Sequence, residues 1–126
     1  MPLDKEFHFN FKTRVNLWKI EESEYELLKP LTLPLIEKEK LKKRKNLKHR
    51  LEFLASRAAL VSLGIDLDKV LFNDNGAPYL TDHRYCSISH TDGYSAVVVS
   101  EYKIGVDVEI YKDKIIRIAS KFVHPA

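Results

Sequence analysis

The stretch Cys86-Ser-Ile-Ser-His-Thr-Asp-Gly-Tyr-Ser-Ala-Val-Val-Val-Ser-Glu-Tyr-Lys-Ile-Gly-Val-Asp-Val-Glu109 decides the fold, because it has the pattern of three consecutive strands. Apolar and polar residues alternate over Cys86–His90, and Asp92-Gly93 is typical of a tight hairpin turn. Tyr94–Ser100 is rich in β-branched residues, and Ile104–Glu109 alternates again. The sequence therefore predicts a hairpin followed closely by a third strand.

Asp107 and Glu109 form a carboxylate pair on the third predicted strand. Side chains two residues apart on a strand share a face, so Val106 and Val108 are expected to point into the core and the two carboxylates away from it. Adjacent carboxylates repel one another unless a cation lies between them, and a divalent cation that takes oxygen ligands is the natural candidate. The alternative is an ordinary solvated face of a half-buried sheet.

Upstream of the hairpin the pattern changes from strand to helix and back. We expect a strand near 13–20, a short helix at Glu24–Leu28 and a long helix from about Pro34 to Leu63, with Gly64 as its C-terminal cap. The first half of the long helix is charged nearly all round and the second half is apolar on a wide face. These halves indicate a break or bend near Asn46.

The remaining predicted elements are shorter. Strands are expected at Lys69–Phe72 and Pro78–Leu80, separated by a turn that contains Gly76. Helical spacing of apolar residues predicts a final helix over Lys112–Phe122. The predicted class is α+β, in which a small, mostly antiparallel sheet packs against one long helix.

Composition is that of one ordinary globular domain. The 126 residues are 44% hydrophobic and 31% charged, and no apolar run has the length of a membrane span. The start of the chain lacks a secretory signal pattern, and Cys86 is the single cysteine, which we expect to be buried rather than nucleophilic. These features predict a protein of the reducing cytoplasm that does not enter a membrane.

Positive charge is concentrated between Glu37 and Arg50. These fourteen residues contain eight Lys or Arg and two Glu. The remainder of the chain contains thirteen basic and sixteen acidic residues. Such a run is usually a solvated helix face, although its field could attract an acidic protein or phosphates. Nucleic acid is a poorer partner, because no aromatic residues are interleaved with the charges.

Four further side chains have functional alternatives. Arg57 lies on an otherwise apolar helix face and needs a partner, either a carboxylate or an anionic ligand, and Arg50 lies two turns earlier on the same face. Ser89 and His90 end a predicted strand beside the Asp92-Gly93 turn. Both can donate to phosphate oxygens, whereas the plainer alternative for His90 is a residue that closes the hairpin.

The motifs from Arg50 onward resemble, in pattern and in order, the two-lobed, surfactin-type branch of the 4'-phosphopantetheinyl transferases. The quoted motifs are Phe53-Leu-Ala-Ser-Arg57, Gly76-Ala-Pro-Tyr-Leu80, Ser87-Ile-Ser-His90, Ile104-Gly-Val-Asp-Val-Glu109 and Ala119-Ser-Lys-Phe-Val-His-Pro125. The resemblance implies that Asp107 and Glu109 hold Mg²⁺. It also implies that Arg50, Arg57, Ser89 and His90 contact coenzyme A.

The implied reaction is transfer of 4'-phosphopantetheine from coenzyme A to a serine of an acyl or peptidyl carrier protein. Two departures accompany the resemblance: Ala77 stands where the family commonly has a lysine, and no second lobe with a W-x-x-K-E-type helix follows. We therefore expect residues 1–126 to be the N-terminal lobe alone, inactive by itself. An interlobe surface around Val97, Val99, Val106 and Val108 could then drive self-association. The alternative function is a non-catalytic lobe that binds coenzyme A or a partner protein.

Overall fold

The computed structural model describes the backbone of residues 3–10, 13–101, 104–111 and 115–122, and the side chains of residues 13–101. Its strands are β1 (Leu3–Asn10), β2 (Thr13–Lys19), β3 (Val70–Phe72), β4 (Pro78–Leu80), β5 (Tyr85–Thr91), β6 (Tyr94–Ser100), β7 (Ile104–Tyr111) and β8 (Ile115–Phe122). Its helices are α1 (Glu24–Leu28), α2 (Leu35–Lys43) and α3 (Leu47–Ser62), with a 3₁₀ turn at Leu67–Lys69. The predicted α+β class is confirmed.

The strands form a six-stranded antiparallel sheet in the order β1-β2-β6-β5-β4-β3, and a separate β7-β8 hairpin. The predicted central hairpin is β5-β6, in which Cys86 pairs with Val99 and His90 with Ser95. Gly93 adopts φ +79° at the turn. A glycine has no Cβ to clash in that left-handed conformation, so the Asp92-Gly93 signal was correctly interpreted.

The long predicted helix is two helices, and the break falls at the predicted position. Arg44 ends α2 in an extended conformation, and the Asn46 side chain then caps α3 by accepting from the Lys48 and His49 N–H groups at 2.8 and 3.4 Å. Gly64 follows α3 with φ +84°, as expected of a C-terminal cap. Asn caps are favoured because they satisfy helix N–H groups that lack an intrahelical partner.

Helix α3 packs along one face of the sheet and forms the main core. Its Phe53, Leu54 and Leu60 are buried with Trp18 and Val97 of the sheet. Three hydrogen bonds fix its position: Ser95 Oγ to the Glu52 carbonyl (3.1 Å), Asn16 Nδ2 to the Ala59 carbonyl (3.0 Å) and Arg14 Nη1 to the Leu63 carbonyl (2.9 Å). The N-terminal half of α3 therefore lies across the β5-β6 hairpin at its Asp92-Gly93 turn end.

The opposite face of the sheet carries a second, smaller core. Val15, Leu17, Ala96 and Val98 lie there with exposed fractions between 0% and 4%. Strand β7 lies close to both β5 and β6 but belongs to the separate β7-β8 sheet. Because α3 covers the first face and these side chains of the second face are almost fully buried, we infer that the β7-β8 hairpin covers the second.

Two predictions about the fold were wrong. Residues 115–122 form strand β8, not a helix, and pair with β7 so that Ile118 faces Val108 and Ile116 faces Ile110. The spacing of their isoleucines fits both a helix and a strand. However, β-branched side chains favour strands, and β7 supplies a neighbouring strand for hydrogen bonding. Val97 and Val99, expected on an uncovered surface, are buried beneath α3 at 0% and 6% exposure. The side chains of Val106 and Val108 lie outside the described residues.

No helix among the described residues is long and apolar enough to cross a bilayer. Cys86 is buried against the core, and burial raises the pKa of its thiol to about 12. A thiol that stays protonated is a poor nucleophile, so the expectation of a structural cysteine is confirmed.

Candidate functional site

A cleft of about 700 Å³ lies between α2, the first half of α3, the β3-β4 turn and the turn end of β5. Its basic lining is Lys40, Arg44, His49, Arg57 and His90, and the rest of its wall is Glu52, Phe53, Ser56, Phe72, Gly76, Pro78 and Ile88. Five basic side chains around one concave surface make an environment suited to an anion.

Three of the cations and two aromatic rings alternate along the floor of the cleft. The Arg44 and Arg57 guanidinium carbons lie 4.5 and 3.9 Å from the centre of the Phe53 ring. Arg57 also lies 5.4 Å from the Phe72 ring, over which the Lys40 ammonium sits at 3.1 Å. Aromatic faces attract cations and restrict their motion, so the rings hold these charges in place before any ligand arrives.

Burial, and to a smaller extent neighbouring like charges, act on the cation ladder (Lys40, Arg44 and Arg57 with Phe53 and Phe72). Partial burial lowers the pKa of Lys40, and the neighbouring Arg57 and Arg44 add to that effect while Glu37 opposes it. Burial and Arg57 likewise lower the pKa of Arg44, again against Glu37. An anion in the cleft would relieve both effects.

Arg57 has the carboxylate partner that sequence reasoning left open. Its Nε and Nη2 donate to Glu37 Oε1 and Oε2 at 2.9 and 3.1 Å, and its Nη1 donates to Ser56 Oγ at 2.8 Å. The Arg57 and Glu37 side chains are 6% and 1% exposed. The guanidinium thus joins α3 to α2 and also lines the cleft, with its charge largely balanced by Glu37.

Arg50 lies outside this cleft. It pairs with Glu24 of α1 through Nε at 2.6 Å, and its Nη1 donates to the Leu41 and Arg44 carbonyls at 2.9 and 3.0 Å. Both carbonyls lie at the C-terminal end of α2, and the Leu41 carbonyl also accepts from the Arg44 N–H at 3.1 Å. Arg50 therefore ties α1 to the end of α2 and lines a separate cavity of about 450 Å³ with Leu28, Leu33 and Lys42 among its walls.

The structure separates Ser89 from His90. His90 follows Cys86 and Ile88 on the face of β5 that meets α3, and it lines the cleft. Ser89 directly precedes His90 on β5. Because successive side chains of a strand point to opposite faces, the Ser89 side chain lies on the other face of the sheet. Of the four residues proposed to contact coenzyme A, Arg57 and His90 share the cleft, whereas Arg50 and the Ser89 side chain do not.

Asp107 and Glu109 lie on β7, opposite Ala119 and Arg117 of β8, so the predicted strand is confirmed. Their side chains lie outside the described residues, and their metal-binding role stays a prediction. Among the side chains of residues 13–101, no three His, Cys, Asp or Glu cluster so as to hold a metal ion.

Sequence reasoning missed Lys40, Arg44, Glu52 and the two phenylalanines of the floor. A signal for part of this was present: Glu37, Lys40 and Arg44 are spaced three and four residues apart and so share one face of α2. The charge count identified the basic segment, but only the packing of α2 against α3 decides which of its eight cations face inward.

Comparison with known proteins identifies what this domain is similar to. The family model for the 4'-phosphopantetheinyl transferase N-terminal domain matches residues 37–100, which include most of α2, all of α3 and all the residues that line the cleft. The 4'-phosphopantetheinyl transferase gsp of Aneurinibacillus migulanus is 29% identical over 75 residues, which are 58% of this chain and 32% of that protein. The matched part is thus about a third of the length of this curated relative.

Proposed function

Because the chain belongs to the 4'-phosphopantetheinyl transferase N-terminal domain family, we propose that it binds coenzyme A in the cationic cleft and takes part in phosphopantetheine transfer. The acceptor is a serine of an acyl or peptidyl carrier protein. In this reaction the serine oxygen forms a bond to the phosphorus that carries pantetheine, and the diphosphate P–O bond breaks. Adenosine 3',5'-bisphosphate leaves, and the serine proton passes to a base.

The observation that carries this proposal is the cation ladder facing the cleft. Coenzyme A bears a diphosphate and a phosphomonoester, so it needs several cations held at fixed positions. Lys40 and Arg44 come from α2, Arg57 from α3 and His90 from β5, and they converge on one cavity. A guanidinium can bind two phosphate oxygens at once, and stacking on Phe53 lowers the entropy that Arg44 loses when it does so. The Arg57 nitrogens already donate to Glu37 and Ser56, so Arg57 contributes by its position in the ladder.

The ladder also bears on the departure at Ala77. Gly76 and Pro78 line the cleft, but Ala77 between them offers no charge to a phosphate. Lys40 lines the same cleft from α2 and is held over the Phe72 ring. We propose that Lys40 supplies the cation that the alanine cannot.

Magnesium enters the proposal through Asp107 and Glu109. Two carboxylates at alternate positions of one strand offer the oxygen ligands that Mg²⁺ prefers. Bound there, the ion would neutralise charge on the coenzyme diphosphate. The chain's own cations would then hold and orient the coenzyme.

Binding of coenzyme A is the first test. Replacing both Lys40 and Arg44 by alanine should raise the dissociation constant for coenzyme A, measured by titration calorimetry, by about 10- to 100-fold. This is the range expected for the loss of one or two charge-assisted contacts. The matched control replaces Lys42 and Lys43, which are exposed on the same helix, and should change it less than about threefold. Equal effects of the two double substitutions would mean that general positive charge, and not the ladder, attracts the coenzyme.

A transfer assay separates the enzyme from the alternative, a non-catalytic lobe that binds coenzyme A or a partner protein. The mass of a carrier protein is followed with the 126-residue chain and with a two-lobed relative as the positive control. We expect no transfer by these 126 residues alone, because in the family the base and a third metal ligand belong to the second lobe. We place this chemistry in the cytoplasm, where the single thiol of Cys86 stays reduced.

A further inference from the structure

Glu52 is a buried carboxylate in the wall of a cleft that is otherwise basic. Its side chain is 5% exposed, and it lines the same cavity as Lys40, Arg44 and Arg57. A negative charge at this place repels an anionic ligand and is costly to bury.

Glu52 lies within ion-pair range of the His90 imidazole. The Nδ1 atom of His90 lies 3.4 Å from Glu52 Oε1, within ion-pair range for a protonated imidazole. The His90 side chain is 52% exposed and faces the cleft, so it stands at the boundary between the carboxylate and the open cavity. Lys48 is the other nearby cation, but it pairs with Asp92 on the exposed turn.

The backbone fixes Glu52 against His90. Ser95 Oγ donates to the Glu52 carbonyl at 3.1 Å, and Ser95 is the residue of β6 that pairs directly with His90 of β5. One hydrogen bond therefore attaches this turn of α3 to the strand pair that carries the imidazole. The relative positions of carboxylate and imidazole follow from the packing of α3 on the sheet and not from a flexible loop.

We propose that Glu52 is a positioning residue that acts on the anionic ligand only through His90. In the protonated imidazole both nitrogens donate, so a carboxylate in ion-pair range of Nδ1 orients the ring with Nε2–H toward a phosphate oxygen and balances the imidazolium charge. The inference rests on the proposed function, because it takes coenzyme A as the ligand. Without His90, the same carboxylate opposes binding.

A double-mutant cycle tests this through a change of sign. With His90 present, Glu52→Gln should weaken coenzyme A binding by about tenfold, the effect of one charge-assisted hydrogen bond. In a His90→Ala background, Glu52→Gln should instead tighten binding by about two- to fivefold, because it removes only repulsion. Titrations are made in EDTA so that no metal site contributes.

A merely structural Glu52 predicts a different result. If Glu52→Gln weakens binding by the same factor in both backgrounds, the carboxylate supports the cleft and does not act through His90, and the inference is wrong. Glu52→Asp, which keeps the charge, should recover part of the loss only when His90 is present. Glu39→Gln, an exposed neutralisation on α2, is the matched control and should leave binding unchanged in both backgrounds.

Failure of the inference and failure of the proposed function are distinguishable. If the unsubstituted chain does not bind coenzyme A, the proposed function fails before the cycle begins. If it binds and Lys40 and Arg44 matter but the Glu52 effect does not depend on His90, only the positioning role is lost. Thermal melts of each variant show whether Glu52→Gln still folds, and Glu52→Asp provides a second reading if it does not.

Discussion

Arg57 and Glu37 form a buried pair whose worth to stability can be measured directly. Arg57→Ala leaves the Glu37 carboxylate, 1% exposed, without its main partner. Breaking a buried pair from one side typically costs about 3–5 kcal/mol of unfolding free energy, because the remaining charge stays desolvated. We expect a loss in that range, measured by urea denaturation.

The matched control is Arg84→Ala. Arg84 pairs with Asp82 at 2.6 Å with both side chains at least 40% exposed, so its loss should cost less than about 1 kcal/mol. Replacing both Arg57 and Glu37 by apolar residues, Arg57→Met with Glu37→Leu, should recover most of the stability lost in Arg57→Ala. A buried-pair loss no larger than the surface one would contradict this account.

For Arg57, the sequence predicted that a buried arginine needs a partner but did not predict which residue is the partner. An arginine among Leu54, Ala55 and Ala58 must be paired when buried, and this much follows from burial cost alone. The partner is Glu37, twenty residues earlier on another helix. Its identity depends on the angle at which α2 returns over α3, which no local pattern encodes.

Helix α1 offers an element whose stability should depend on pH. Ser23 and Glu26 form a capping box, in which the Glu26 carboxylate accepts from the Ser23 N–H at 2.9 Å and Ser23 Oγ accepts from the Glu26 N–H at 3.2 Å. These hydrogen bonds to Ser23 hold the pKa of Glu26 below its ordinary 4.5. A lowered folded-state pKa means that the stabilisation is present above the unfolded pKa and is lost as pH falls through the folded one.

We therefore expect Glu26→Gln to lower the melting temperature near pH 7 and to lose that effect progressively below about pH 4.5. Melting curves of both proteins from pH 7 to pH 3 give the difference at each pH. The control is Glu39→Gln, which removes an exposed carboxylate from α2 away from any helix N-terminus. A difference between wild type and Glu26→Gln that is constant with pH would show that the capping box does not depend on ionised Glu26.

Element prediction succeeded where local chemistry decides the structure and was wrong where pairing decides it. The Gly64 cap and the Asp92-Gly93 turn are each specified by two or three neighbouring residues. The break near Asn46 was predicted from the change between a charged and an apolar half, and the Asn46 cap itself was not. Residues 115–122 fit a helix and a strand equally well by spacing. Only the presence of β7 as a hydrogen-bonding partner selects the strand.

At the scale of the whole molecule, the central sheet separates two cores with different covers. Side chains of β6 alternate between them: Val97 and Val99 pack under α3, while Ala96 and Val98 join Val15 and Leu17 on the other face. The run Val97-Val-Val99 thus fills both cores, as a continuous apolar strand does when both faces of its sheet are covered. The sequence predicted one helical layer, and the second cover was not foreseen.

Removing the second cover should unfold the chain. A protein ending at Glu101 lacks β7 and β8, which exposes Val15, Leu17 and Val98, now 0–4% exposed. Burying each such side chain contributes about 1.5–3 kcal/mol, so together they approach the whole stability of a small domain, about 5–15 kcal/mol. We expect residues 1–101 to lack a cooperative melt and to bind a hydrophobic dye.

A point substitution distinguishes loss of the cover from other effects of truncation. Val98→Asp in the full chain places an unpaired charge in the same core and should reproduce the instability of residues 1–101, whereas Leu71→Asp, at a site 39% exposed, should change the melting temperature little. Cooperative melting of residues 1–101 within a few degrees of the full chain would mean that the second core does not need the β7-β8 hairpin. In that case Val98 would have to be buried by residues 1–101 themselves, and Val98→Asp would still unfold the truncated protein.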